Sequence, residues 1–231
     1  MKRKNETEKP IKKSKIEEEK PLKQSTIKKI SETHKIVNLP DDSSSIEIYN
    51  ELPEDLRISD EQFKALWNTH PNYKEKVKMF GELKDQPRFT RCYGKNSYNY
   101  SGVDHKVFPL ENEILIKLLD WVKKDSGEDY EDILVNWYEN GKHYIGPHSD
   151  DEKSLVHGSA IYSFSFGASR RFVVTSKKNQ PYYYEEVFPV RNNTLLIMKG
   201  DMQKHFKHSV PIEEHGCPKR INVTIRLFKK K

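Results

Sequence analysis

Cysteine is scarce: Cys92 and Cys217 are the only two in 231 residues. They stand far apart with no CxxC pair, which excludes a disulfide framework and a thiolate zinc site and fits a reducing compartment. Long apolar runs are missing too. No stretch approaches the roughly 18 apolar residues of a membrane span, and the chain opens MKRKNETEKP instead of on an apolar signal segment. A soluble, unsecreted protein with no membrane partner is therefore expected. Hydrophobic residues make up 34% of the chain, enough for one core and not for two. Most of the chain also lacks a net charge. The overall +6 suggests a polyanionic partner, but residues 1–35 hold 12 of the 41 Lys/Arg and 6 of the 35 Asp/Glu, leaving 29 of each elsewhere. Electrostatic attraction to a polyanion then rests on this tail or on a local patch.

Residues 1–40 are rich in Lys, Glu, Ser and Thr with isolated isoleucines, too little apolar surface to offset the entropy of ordering. They are expected to be a disordered basic tail on a domain spanning 41–231, with order beginning near Ile46. Lys2-Arg3-Lys4 and Lys12-Lys13-Ser14-Lys15 have the composition of a nuclear import signal or of a solubilising tail, and the nucleus is the expected location. The stretch ISDEQFKALWNTHP predicts a helix with Ser59 as N-cap, Gln62 closing a capping box and Pro71 as the stop. A second helix is predicted through PLENEILIKLLDWVKKDSG, where Ile114, Leu118 and Val122 repeat every four residues before Gly127. From Tyr130 the period falls to two. SAIYSFSFG, RRFVVTS, YYYEEVF, NTLLIMK and RINVTIRLF read as short strands separated by turn residues. The expected fold is mainly β with flanking helices, a sandwich or jelly roll with the helices buttressing one face.

The residues able to do chemistry gather in the second half. In NWYENGKHYIGPHSDDE, His148 and Asp150 are two apart, so an extended segment points both to one side, where they can share a cation. His205 and His208 in QKHFKHSVP both remain open as a third ligand. In KRINVTIRLF, Arg220, Asn222, Thr224 and Arg226 share one face and Ile221, Val223, Ile225 and Leu227 the other. Paired arginines and a threonine suit a dicarboxylate, since guanidinium binds carboxylate oxygens bidentately. Asn136 and Tyr138 repeat the same spacing upstream, and a buried strand asparagine and tyrosine need partners.

In their order, NWYENGKHYIGPHSDDE, SFSFGASRRFVV, KHSVP and RINVTIR resemble the AlkB family of iron(II)- and 2-oxoglutarate-dependent dioxygenases, over roughly Val77 to Phe228. The resemblance implies the double-stranded β-helix form of the jelly roll. It implies His148, Asp150 and His208 as an iron triad, and Asn136, Tyr138, Arg220, Thr224 and Arg226 as the residues holding 2-oxoglutarate. The implied cofactors are Fe(II), 2-oxoglutarate and O2.

The chain is most similar to the eukaryotic type that repairs duplex DNA. That likeness implies oxidative demethylation of 1-methyladenine and 3-methylcytosine, releasing succinate, carbon dioxide and formaldehyde. VKMFGELKDQPRFTRCYG resembles the segment whose aromatic finger enters the base stack, which points to Phe80. YNYSG resembles the lid over a flipped base, pointing to Tyr98 and Tyr100, and Asp151 and Glu152 match carboxylates near the base. The expected partner is duplex DNA with a flipped methylated base, met by a monomer. The rivals are the same chemistry on RNA or on a protein side chain, a non-catalytic nucleic-acid-binding module, and a zinc hydrolase.

Overall fold

The computed structural model describes residues 20–79, 81–95, 98–100, 103–214 and 216–230, with the backbone alone for Met79, Tyr98, Asn99, Tyr100 and Asp104. Both predicted helices form where their caps place them. Helix α1 (Asp60–Trp67) begins at Ser59, whose side chain accepts the Gln62 N–H while the Gln62 side chain accepts the Ser59 N–H. Ser59→Ala should lower stability by about 1 kcal/mol, read as an earlier urea midpoint at unchanged slope. Helix α2 (Glu113–Ser126) starts at Asn112, whose Oδ1 accepts the Ile114 and Leu115 N–H groups, and ends at Gly127 in the left-handed region at φ 71°.

Two large sheets face each other. The larger runs in the order Thr26–Lys29, His34–Asn38, Ser44–Tyr49, Thr194–Gly200, Ile161–Gly167, Arg220–Arg226, Asp132–Tyr138, Phe89–Tyr93 and Val107–Phe108; the smaller runs Ile145–His148, Phe206–Val210, Arg170–Ser176 and Glu185–Val190. This is the expected jelly roll. Period-two alternation sorts the larger sheet's side chains. Ile221, Val223 and Ile225 join Tyr162, Phe164, Phe166, Val135 and Trp137 in an outer core against Leu66, Trp67, Leu115, Leu118 and Val122 of the helices. The opposite face looks into the space between the sheets, where Phe172, Val174, Leu196, Met198, Phe206 and Val210 form a second core. Among the described residues no helix is long and apolar enough to cross a membrane.

The expected tail is corrected in its second half. Thr26–Lys29 and His34–Asn38 are strands, the first paired in register onto the second and the second onto Ser44–Tyr49, so the boundary at residue 40 and the start of order near Ile46 do not hold; residues 1–19 lie outside the described residues. An edge strand is stabilised largely by its ladder and needs few apolar side chains, so a composition argument misses it. Val37 and Leu39 are nonetheless buried in the inter-sheet core.

A polar cluster fastens this addition. Glu47 accepts from His34 Nε2 at 2.6 Å, from the Tyr49 hydroxyl at 3.2 Å and from Lys199. Burial works against ionisation of Glu47, but Lys199 and His34 outweigh it and hold its pKa below the usual carboxylate range. A carboxylate with a depressed folded pKa stabilises above its unfolded pKa, about 4.3, and that stability is lost as pH falls through the folded value. The acid limb of the stability curve below about pH 4.5 should therefore be shallower in Glu47→Gln. Equal limbs by urea titration would refute the role.

Candidate active site

The smaller sheet supplies two histidines. Ile145–His148 is an edge strand, and its pairing with Phe206–Val210 shifts register between Ile145 and His148. Gly146 and Pro147 sit in that shift, and proline, lacking an N–H, is tolerated at edges and bulges. The bulge sets His148 directly opposite His208, with ring centroids 4.2 Å apart. Asp150 follows two residues later with a side chain wholly shielded from solvent. Nε2 of His148 lies 3.7 Å from Asp150 Oδ1, and Nε2 of His208 lies 3.7 Å from Asp150 Oδ2, too far for hydrogen bonds.

These three residues form a group able to hold a metal ion, with ligand atoms all within 4.8 Å of one another. The donor chemistry fits. His148 Nδ1 faces the Gly146 carbonyl at 2.9 Å, so Nδ1–H donates there and Nε2 is left with the lone pair that ligation needs. Burial pushes His208 down to about 3 and lowers His148 as well, which keeps the imidazoles neutral. Burial acts against the charge on Asp150, yet Arg226, donating from Nη2 to Oδ1 at 2.8 Å, outweighs it and keeps the carboxylate ionised. Its Oδ2 is buried with no hydrogen-bond partner among the described residues. Two neutral imidazoles and one carboxylate on one side of an ion make the donor set of a facial triad.

Facing the triad is the polar face of the larger sheet. Tyr138 pairs with Arg220, Asn136 with Asn222 and Leu134 with Thr224 across neighbouring strands, so residues spaced by two become rows. The cavity between the sheets is lined by Asn136, Tyr138, Arg220, Thr224 and Arg226 together with His148, Asp150 and His208. Every residue expected for iron and for 2-oxoglutarate therefore lines one cavity. Arg226 differs in detail: its contact at 2.8 Å is to the Asp150 carboxylate. Arg220 is 1% exposed; its Nη2 donates to Ser165 Oγ at 2.8 Å, while Nε and Nη1 have no hydrogen-bond partner among the described residues. Buried guanidinium donors of this kind suit a carboxylate.

His205, the open alternative, lies apart from the triad and meets Gln180 Nε2 through its Nδ1 at 2.8 Å. Asp151 and Glu152 line a neighbouring cavity that shares Asp150 and Arg226 with the first. Asp151 is also paired with Lys177 at 3.3 Å. Phe80 lies outside the described residues; the strands before and after it in the sequence, Lys76–Met79 and Glu82–Asp85, are paired. Tyr98 and Tyr100 are described by backbone alone, in a strand paired with Val103–His105.

Sequence reasoning missed the residues that brace the site. Arg88 Nε donates to Asn136 Oδ1 at 2.7 Å, Asn222 Nδ2 to Ser163 Oγ at 2.9 Å, and the Arg170 guanidinium lies 5.5 Å from the Tyr138 ring on its way to the His143 and Pro211 carbonyls. A signal existed for the serines, which alternate with aromatics, and for Arg170, which alternates with Phe172 and Val174. Arg88 precedes its strand and left no pattern.

Comparison with known proteins gives the same direction. The profile of the family described as the 2OG-Fe(II) oxygenase superfamily matches residues 24–226. The chain is 35% identical to alpha-ketoglutarate-dependent dioxygenase alkB homolog 3 of Bos taurus over 179 residues, covering 74% of this chain and 62% of that protein. It is 34% identical to DNA oxidative demethylase ALKBH2 of Mus musculus over 158 residues, covering 65% and 66%. A solved structure of OsALKBH1 aligns with a TM-score of 0.48 at 16% identity, covering 79% of this chain and 96% of that one. The chain spans about half to two thirds of the length of the curated relatives it matches.

Proposed function

The chain belongs to the 2OG-Fe(II) oxygenase superfamily, and on that premise we propose that it is an oxidative demethylase of N-alkylated bases in DNA. The observation that carries this reading is the shared cavity: a half-buried His148 clustered with the buried Asp150 and His208, facing Asn136, Tyr138, Arg220 and Thr224. The triad would hold iron(II), and Arg220 with Asn136, Tyr138 and Thr224 would hold 2-oxoglutarate. When bound, iron(II) and 2-oxoglutarate supply activation of dioxygen, with succinate, carbon dioxide and formaldehyde as products. The protein's part is to position and to exclude water. Gly146 fixes the His148 tautomer, Arg226 keeps Asp150 ionised and turned inward, and Ser165 aims Arg220.

DNA as the substrate is supported by the name of the ALKBH2 relative. Methylation at N1 of adenine or N3 of cytosine leaves a cationic base, which Asp151 and Glu152, lining the neighbouring cavity, would attract. The paired strands on either side of Phe80 in the sequence carry Lys76, Lys78 and Lys84, a composition suited to phosphates beside an apolar wedge that fills the place of an extruded base. The basic clusters before residue 20 are read as a nuclear import signal, to be tested by fusing residues 1–40 to a reporter.

The test is mass spectrometry of a duplex oligonucleotide with one 1-methyladenine, incubated with iron(II)-loaded protein, air and 2-oxoglutarate. The expected result is loss of one methyl group only when 2-oxoglutarate is present. Succinate formed without methyl loss would reject the substrate and keep the oxygenase.

A further inference from the structure

Asp150 lies beyond the end of its strand, so no ladder sets its place, whereas His148 and His208 are register partners. We propose that Gln203 is a positioning residue of the metal site, an inference that rests on reading His148, Asp150 and His208 as metal ligands. Gln203 belongs to helix α3 (Met202–His205), the turn that leads directly into the strand bearing His208. Its side-chain Oε1 accepts the Asp150 backbone N–H at 2.9 Å, and its Nε2 lies 3.5 Å from Met198 Sδ. A backbone N–H can only donate, so it dictates which end of the amide faces Asp150, and the weakly accepting sulfur takes the other end.

Two more contacts tie the same stretch to the same turn. Ser149 Oγ donates to the Phe206 carbonyl at 2.8 Å, and Lys177 Nζ donates both to the Gln203 carbonyl at 2.8 Å and to Asp151 Oδ2 at 3.3 Å. Three consecutive residues are thus held to the turn that delivers the third ligand. Of these contacts, the Gln203 amide alone reaches Asp150 itself, and it does so without touching the carboxylate. Gln203 therefore sets the separation between ligands that arrive on different segments, which the ladder leaves undetermined.

The test is cobalt(II) binding to the metal-free full chain, followed by its d–d absorption. Gln203→Met keeps the length of the side chain and removes the acceptor; it should weaken cobalt binding by about 10–100-fold and alter the spectrum, while Gln203→Glu, which retains an acceptor, should stay within about threefold of wild type. Ser59→Ala, destabilised far from the site, should keep wild-type affinity, which separates positioning from general loosening. A folded Gln203→Met that binds cobalt as wild type does would overturn the proposal. If that variant does not fold, the wild-type chain decides: in the metal-free protein the Asp150 amide should be protected from hydrogen exchange, and rapid exchange would overturn the assignment. Should wild type and Asp150→Ala bind cobalt equally, the metal-site reading itself fails and takes this one with it.

Discussion

Asp150→Ala should abolish 2-oxoglutarate turnover and base demethylation together, each by more than about 100-fold, beyond the 10–100-fold typical of residues that only support a ligand. The carboxylate is the anionic member of the donor set, and both histidine Nε2 atoms stand 3.7 Å from its two oxygens. Its removal takes away one ligand and the charge that favours a dication. The obvious objection is structural, because Asp150 is buried against Arg226 and breaking a buried ion pair from one side costs about 3–5 kcal/mol. Asp150→Asn answers it. The amide oxygen can still accept from Arg226, so the fold should survive better than in Asp150→Ala, yet turnover and cobalt binding should fall as far. A well-folded Asn variant with iron-dependent demethylation near wild type would sink the ligand assignment.

How much of this was legible beforehand follows from which interactions are local. The caps of α1 and α2 were readable because Ser59, Gln62 and Gly127 act within one turn. The polar and apolar faces of Arg220–Arg226 were readable because strand alternation needs no knowledge of the neighbours. The choice of His208 over His205 was not readable from spacing. It depends on a register that sets His208 against His148 while His205 ends the preceding turn. The strands at Thr26–Lys29 and His34–Asn38 were lost for a related reason: their stabilisation comes from pairing with each other, from the pairing of His34–Asn38 with Ser44–Tyr49, and from the Glu47 cluster, partners that their own composition does not reveal. The bracing residues were invisible one at a time. Ser163 and Ser165 look like small strand residues until Asn222 and Arg220 are set beside them.

Arg220→Met should remove co-substrate binding without weakening the fold. The guanidinium is buried between the sheets, spends Nη2 on Ser165 and leaves Nε and Nη1 without hydrogen-bond partners among the described residues. Each buried, unmet donor costs about 1–3 kcal/mol, so in the absence of a dicarboxylate this side chain opposes stability, with Tyr138, whose ring lies 4.9 Å away and whose side chain also interacts with the guanidinium, in partial compensation. Methionine has similar reach and no donor to satisfy. The expected melting temperature of the co-substrate-free variant is therefore equal to or above that of wild type. Binding goes the other way. Two charge-assisted bonds to one carboxylate, at about 1.5–3 kcal/mol each, predict a loss of at least about 100-fold in 2-oxoglutarate affinity. With manganese(II) in place of iron, 2-oxoglutarate should raise the melting temperature of wild type by linkage and leave that of Arg220→Met unmoved. Arg220→Lys should not restore the shift, because a point charge on a flexible stem lacks the planar pair of donors. A variant that is destabilised by several kcal/mol yet still stabilised by 2-oxoglutarate would mean that Arg220 serves the fold and that the co-substrate is held elsewhere.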